Sequence, residues 1–113
     1  MTPRLSTSLL VSALMRRAEA EGGFAAVLAK GEPTAGAVLV ILAERSARQR
    51  ILERLLQPDG SYQWRGITGQ DTDNKEEIGS IIDRRRKYDP DLWVVELDIP
   101  SLERFAAEMN AAN

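Results

Sequence analysis

The sequence contains no cysteine and no histidine. The lack of cysteine excludes disulfides, thiolate nucleophiles and thiolate metal ligands. The lack of histidine removes both the commonest general base and the commonest metal ligand. Ser-His-Asp catalysis, Cys-His catalysis and ordinary zinc sites are therefore excluded. We expect no metal and no cofactor, and the absence of a known catalytic constellation favours a protein without enzymatic activity.

Neither basic nor acidic residues are in large excess, and the sequence has no long hydrophobic run. The 15 Lys and Arg against 17 Asp and Glu give a net charge of −2, which provides no overall attraction to nucleic acid or to an anionic membrane. No segment approaches the ~20 apolar residues of a membrane span. The early apolar run Leu9–Met15 is followed by Arg16 and Arg17, unlike a secretory signal. We expect a cytoplasmic protein with no membrane partner.

Helical periodicity is strong in two segments. It predicts main helices over residues 7–21 and roughly 74–87, and a short C-terminal helix opened by Pro100-Ser101. Asp73 followed by Glu76 resembles a capping box, which predicts Asp73 as the N-cap of the second helix.

Strand-like segments alternate with these helices. The predicted strands cover residues 24–30, 37–43, 62–67 and 92–99. The short link Gly31–Gly36 predicts that the first two strands form an antiparallel hairpin.

Residues 44–57 are ambiguous. Their leucines and isoleucine fit a helical stripe, whereas the strong turn at 58–61 and the strand beyond it require residues 49–57 to be extended. We favour a strand over 49–57 and keep a helix as the alternative.

These elements define an α+β fold in one domain over residues 1–113. An antiparallel sheet of four to five strands packs against two main helices, with the short C-terminal helix added. The first helix has a wide apolar arc, and the strand over 37–43 is apolar on both faces. Both features predict more apolar surface than one chain can cover, so we expect a homodimer.

Three segments carry a resemblance to a known family: Val11–Glu19, Ala35–Val40 and Asp89–Glu96. In that order and spacing they resemble a small bacterial family catalogued as domain of unknown function 1491. The likeness extends from about Arg4 to about Asp98. It implies a bacterial source and slightly favours a strand over residues 49–57, and it supplies no catalytic residue.

Two arginines fall inside the apolar arcs of the predicted helices, Arg17 on the first and Arg85 on the second. A buried guanidinium needs a partner, because an unpaired buried charge is very costly. The candidate partners are Glu44, Glu53, Glu96 and Asp98. Alternatively, the stems pack while the charged heads reach water, or the arginines line a pocket for an anion. For Arg85 we expect a structural ion pair with little access to water.

The arginine-rich helices give the most informative surface. The candidate residues for binding an anion or a partner are Arg16, Arg17, Arg84, Arg85, Arg86 and Glu96. We favour a non-catalytic binding or assembly protein that uses these surfaces to hold an acidic protein partner. The alternative is binding of nucleic acid or nucleotide phosphate through Arg84–Lys87 and neighbouring basic residues, with Tyr88 or Trp64 stacking on bases. The net acidic balance opposes this alternative.

Overall fold

The structure is a computed structural model that describes residues 5–67 and 71–111, apart from the side chain of Arg48. Three helices and five strands lie in this part of the chain, and the predicted α+β class is confirmed. In chain order they are α1 (Thr7–Ala20), β1 (Phe24–Ala29), β2 (Val38–Glu44), β3 (Arg48–Leu56), β4 (Tyr62–Gly66), α2 (Lys75–Tyr88), β5 (Trp93–Ile99) and α3 (Leu102–Ala111). None of the helices within these described ranges is long and apolar enough to cross a membrane.

The five strands form one sheet in the order β1-β5-β2-β3-β4. Three neighbouring pairs are antiparallel, and the pair of β5 and β2 is parallel. The predicted hairpin of the first two strands is wrong, because β5 lies between them. The length of a link is a local signal. It cannot show that a strand distant in sequence lies between two strands that are consecutive in the chain.

The link between β1 and β2 therefore crosses the start of β5. The Glu32 N–H donates to the carbonyl of Asp91 at 3.0 Å, and the Trp93 indole N–H donates to the carbonyl of Glu32 at 2.8 Å. A Cβ at Gly31 would overlap the Asp91 carbonyl oxygen, so only glycine allows this close crossing. The loop is a crossover fastened to β5.

The Glu32 carboxylate closes the same loop. It accepts hydrogen bonds from the backbone N–H groups of Ala35 at 2.6 Å and Thr34 at 3.1 Å, and these bonds lower the pKa of Glu32. A lowered pKa means that the ionised form favours the folded state. The contribution is present above the pKa of the unfolded chain and is lost as pH falls through the folded value.

Residues 48–56 are extended, so the strand prediction for 49–57 is confirmed and the helix alternative is wrong. β3 pairs with β4 across the turn at 58–61, where Gly60 adopts φ of 88°. The apolar residues that suggested a helical stripe divide between the two faces of the sheet. Ile51 packs with the core on one face and Leu52 with the core on the other.

The sheet separates two hydrophobic cores. On the first face, β5 contributes Trp93, Val95 and the apolar residues that alternate after them, and helices α1 and α3 cover them. On the second face, Leu92 and Val94 pack with residues of β2 and β3 under helix α2. We call these the α1/α3 face and the α2 face. The alternation predicted for β5 is confirmed, and the two main helices lie on opposite sides of the sheet.

The N-cap of α2 is one residue later than predicted. Asn74, and not Asp73, accepts from the backbone N–H groups of Glu76 and Glu77, both at 3.1 Å. Thr72 pairs with Gln49 beside β3 through two backbone hydrogen bonds, which fixes where the chain leaves the sheet. Asp and Asn are both good N-caps, so the pairing of Thr72 with Gln49 decides which of the two residues caps the helix. Part of the loop predicted over 69–72 lies outside the described residues.

Candidate functional site

The sequence-predicted arginines do not meet in one place. Arg16 and Arg17 lie on α1, whereas Arg84, Arg85 and Arg86 lie on α2. Since α1 and α2 cover opposite faces of the sheet, the two groups cannot line a common pocket.

Arg17 joins α1 to α3. Its guanidinium lies 4.9 Å from the centroid of the Phe105 ring and 2.7 Å from a carboxylate oxygen of Glu108. The partner is not among the four carboxylates considered from the sequence, since Glu108 lies on the C-terminal helix. The side chain is 32% exposed, so its stem packs on the core while its head stays close to water.

Arg85 pairs with Glu53, one of the predicted partners, at 2.7 Å. The pair ties α2 to β3. The expectation that Arg85 has little access to water is wrong, because its side chain is 39% exposed. Its helical position faces the sheet, but the long stem places the guanidinium at the rim of the core, beside the Glu53 carboxylate.

The Arg85→Ala variant is expected to lose about 1 kcal/mol of unfolding free energy, the cost of a part-exposed pair. A fully buried pair would cost about 3–5 kcal/mol. Urea unfolding followed by circular dichroism measures the difference, with the exposed Arg84→Ala as the matched control. A midpoint for Arg85→Ala that equals or exceeds wild type, with an unchanged m-value, would remove the structural role.

The remaining basic residues are spread out. Arg16 and Arg84 are exposed on opposite sides of the molecule, and Arg86 donates to the carbonyl of Pro90 at 3.0 Å. Trp64 is buried at 5% exposure, so the expectation that it could stack on bases is wrong, whereas Tyr88 is 81% exposed. Binding of an acidic partner or of nucleic acid by these residues stays a prediction.

A groove opens instead on the α2 face, between α2 and the β1–β5 pair. Its volume is about 250 Å³. Apolar side chains of β1, β2 and α2 form about half of its walls, and three charged side chains reach it. The lining residues are Leu28, Ile41, Ala43, Ser46, Gln49, Lys75, Ile78, Gly79, Ile82, Glu96 and Asp98. We call this the α2 groove.

Glu96 is the sequence-predicted candidate that lies in the α2 groove. Its neighbours on the adjacent strands are Ala26 on β1 and Ile41 on β2, and neither side chain can bond a carboxylate. Among the described residues, no hydrogen bond or ion pair engages the half-buried Glu96 carboxylate. The groove therefore presents an acid without a partner whose two neighbours on the adjacent strands are apolar.

The second carboxylate of the groove is already engaged. Asp98 accepts from the hydroxyl of Ser46 at 2.6 Å and from its backbone N–H at 3.2 Å. These bonds hold the turn after β2, where Arg45 and Ser46 adopt positive φ. Within the described residues, no group of three or more Asp or Glu side chains is placed to hold a metal ion. Glu96 is thus the acceptor that the groove offers to a ligand.

Sequence reasoning identified Glu96 but missed the walls of its groove. Ile78 and Ile82 lie on the core-facing side of α2, and part of this side of the helix also lies above β5 and β1, where it borders the groove. Gly79 was not singled out, and a Cβ placed there would contact nothing within 4 Å. A glycine inside an otherwise regular helix is the signal that could have indicated an opening beside it.

Comparisons with known proteins agree with this fold. Residues 5–107 match the family described as "Protein of unknown function (DUF1491)". No protein with a curated description matches the chain.

Three solved structures of high similarity come from Caulobacter crescentus CB15 and A. tumefaciens. A crystal structure of a DUF1491 family protein from Caulobacter crescentus CB15 is 35% identical, with a TM-score of 0.81 over 90% of this chain and 94% of that one. An NMR structure of a DUF1491 family protein from the same organism has 34% identity and a TM-score of 0.79, covering 92% and 94%. A solution structure of a protein from A. tumefaciens has 32% identity and a TM-score of 0.76, covering 91% and 92%. The chain belongs to the DUF1491 family, whose function is not established.

Proposed function

We propose that this protein is a non-catalytic binding protein whose α2 groove takes up a lysine or arginine side chain from a partner protein. The observation that carries the proposal is the Glu96 carboxylate, which has no partner among the described residues and lies between apolar neighbours. A half-buried carboxylate without a partner costs free energy, and a cation from outside offsets that cost through a charge-assisted hydrogen bond.

The walls of the groove favour a side chain with an apolar stem. Ile41, Ile78 and Ile82 flank the approach to Glu96. Lysine and arginine combine a long aliphatic stem with a charged head, so the stem contacts these walls while the head reaches the acid. Apolar walls do not stabilise a small hydrated metal ion.

The charge of the groove points the same way. Two carboxylates, Glu96 and Asp98, face one ammonium group, that of Lys75. Lys75 lies in the first turn of α2 and makes no ion pair among the described residues. The groove is therefore negative overall, which favours a cation and disfavours a carboxylate or phosphate.

An NMR titration with three capped tripeptides tests the proposal. They carry valine on both sides of lysine, norleucine or glutamate. We expect the lysine peptide to shift the amide resonances of the groove and to bind about tenfold more tightly than the norleucine peptide, equivalent to ~1.4 kcal/mol. The glutamate peptide is expected to bind more weakly still.

Three variants complete the experiment. Glu96→Gln is expected to bring the lysine peptide to the affinity of the norleucine peptide, and Gly79→Leu is expected to fill the groove and weaken both. Glu19→Gln, a matched change on the exposed surface of α1, should have no effect. Equal binding of the lysine peptide by wild type and Glu96→Gln would contradict the proposal.

A further inference from the structure

The two edges of the sheet differ in how they are protected. At the β4 edge, the Trp64 backbone N–H donates to Oδ1 of Asn110 at 2.7 Å, and Nδ2 of Asn110 donates to the Trp64 carbonyl at 3.1 Å. The Asn110 amide thus takes the place of a neighbouring strand. The exposed Arg65 adds a charge to the same strand. Both devices discourage pairing with another chain.

The β1 edge has no such protection. No charged residue occurs between Phe24 and Ala29, and no side chain of the described residues bonds the backbone of this strand. Phe24 is 78% exposed, Leu28 is 53% exposed and Val27 is 41% exposed. An unprotected apolar edge strand is a template for pairing with a further strand.

We propose that β1 pairs antiparallel with the same strand of a second copy, about a two-fold axis at Ala26. An axis perpendicular to the sheet leaves each face on its own side, so residues on the same face oppose each other. Phe24 and Ala26 share a face, since they lie opposite Asp98 and Glu96. Leu28 lines the α2 groove and lies on that face as well.

The order of large and small side chains selects this register. Centring the axis on Ala26 places Phe24 opposite Leu28 of the partner subunit, twice by symmetry, and places the two small alanines face to face. A shift of the axis to Val27 would place Phe24 opposite Lys30 of the partner subunit and leave its ring uncovered. Aromatic and aliphatic side chains directly opposite each other stabilise antiparallel pairs.

The sequence is therefore self-complementary at this edge, and no like charges meet across the axis. The ladder of β1 with β5 is regular over Phe24–Val27, which contains the axis, and its register shifts at Leu28, which remains on the face of the α2 groove. Pairing gives a continuous sheet of two copies. Since the two-fold axis preserves the faces, both α2 grooves open on the same side of the dimer.

Cysteine cross-linking tests both the surface and the register, because the chain has no native cysteine. Directly opposed residues of an antiparallel pair have Cα atoms about 4.5–5.5 Å apart, within the range of a disulfide. Ala26→Cys is expected to form a disulfide-linked dimer on mild oxidation about tenfold faster than Gln63→Cys on the protected β4 edge, since pairing raises the effective concentration.

Sedimentation equilibrium provides a second measurement without cross-linking. Phe24→Ala removes both Phe24–Leu28 contacts across the axis and is expected to weaken dimerisation at least about tenfold. Phe24 is 78% exposed, so the substitution leaves the core intact, and Tyr88→Ala, at another exposed aromatic residue, is the matched control. The proposal is overturned by a wild type that stays monomeric at millimolar concentration, or by equal cross-linking rates for the two cysteine variants.

Discussion

Replacement of Trp93 by alanine is expected to lower the free energy of unfolding by about 3–5 kcal/mol, the range for truncation of a large buried aromatic side chain. Trp93 is 4% exposed and belongs to the core of the α1/α3 face. Its indole N–H also fastens the crossover loop through the carbonyl of Glu32. The variant therefore loses core volume and releases the link between β1 and β2.

A second substitution at the same position separates these two losses. Trp93→Phe keeps most of the apolar volume and removes the hydrogen bond, so we expect a smaller loss of about 1–2 kcal/mol. Tyr88→Ala, at an 81% exposed aromatic residue, is the control and should stay within about 0.5 kcal/mol of wild type. Urea unfolding measures all three. A Trp93→Ala midpoint equal to that of wild type would refute the role given to Trp93.

Arg50→Met is expected to cost about 2–3 kcal/mol, somewhat less than the loss of one partner from a fully buried pair. Arg50 on β3 binds Asp71 through Nε at 2.6 Å and through Nη2 at 3.2 Å, and binds Glu103 on α3 at 2.6 Å. The Asp71 side chain is only 14% exposed. The Asp71 hydrogen bond raises the pKa of Arg50 above its ordinary value, because the bond favours the charged guanidinium.

The matched control for Arg50 is Arg104→Met. Arg104 also pairs with two carboxylates, Glu21 at 2.9 Å and Glu108 at 3.5 Å, but its side chain is largely exposed. Exposed pairs contribute ~0–1 kcal/mol, so we expect a small change in the urea midpoint. If both variants lost the same free energy of unfolding, burial would not explain the contribution of the Arg50 ion pairs.

Local patterns in the sequence predicted the elements well. The unbroken apolar run of β2 indicated a strand covered on both faces, and alternation along β5 indicated its two faces. Both signals are local, because each side chain's burial follows from its own position in a strand. Strand order depends instead on contacts between distant segments, and for this reason the insertion of β5 between β1 and β2 was not predicted.

The candidate site was also predicted only in part, since local signals identified some of its residues and contacts between distant segments supplied the rest. Glu96 was identified because it is a carboxylate on the predicted strand over residues 92–99 and a candidate partner for a core-facing arginine, and both features are local signals. The partner of Arg17 was missed because Glu108 reaches it only when α3 packs beside α1. The overhang of α2 above β1 and β5, which makes the α2 groove, also arises only after the sheet has assembled.

The position of β5 has a consequence for how the chain folds during synthesis. β2 emerges early, but its parallel neighbour is the last strand of the sheet to be made. Until then β1 has no strand to join, and one edge of β2 lacks its partner. Pairings between segments far apart in sequence close slowly, and unpaired apolar strands attract other chains in the meantime. The sheet can therefore close only after β5 has been made, and until then the free edges of β1 and β2 are open to pairing with other chains.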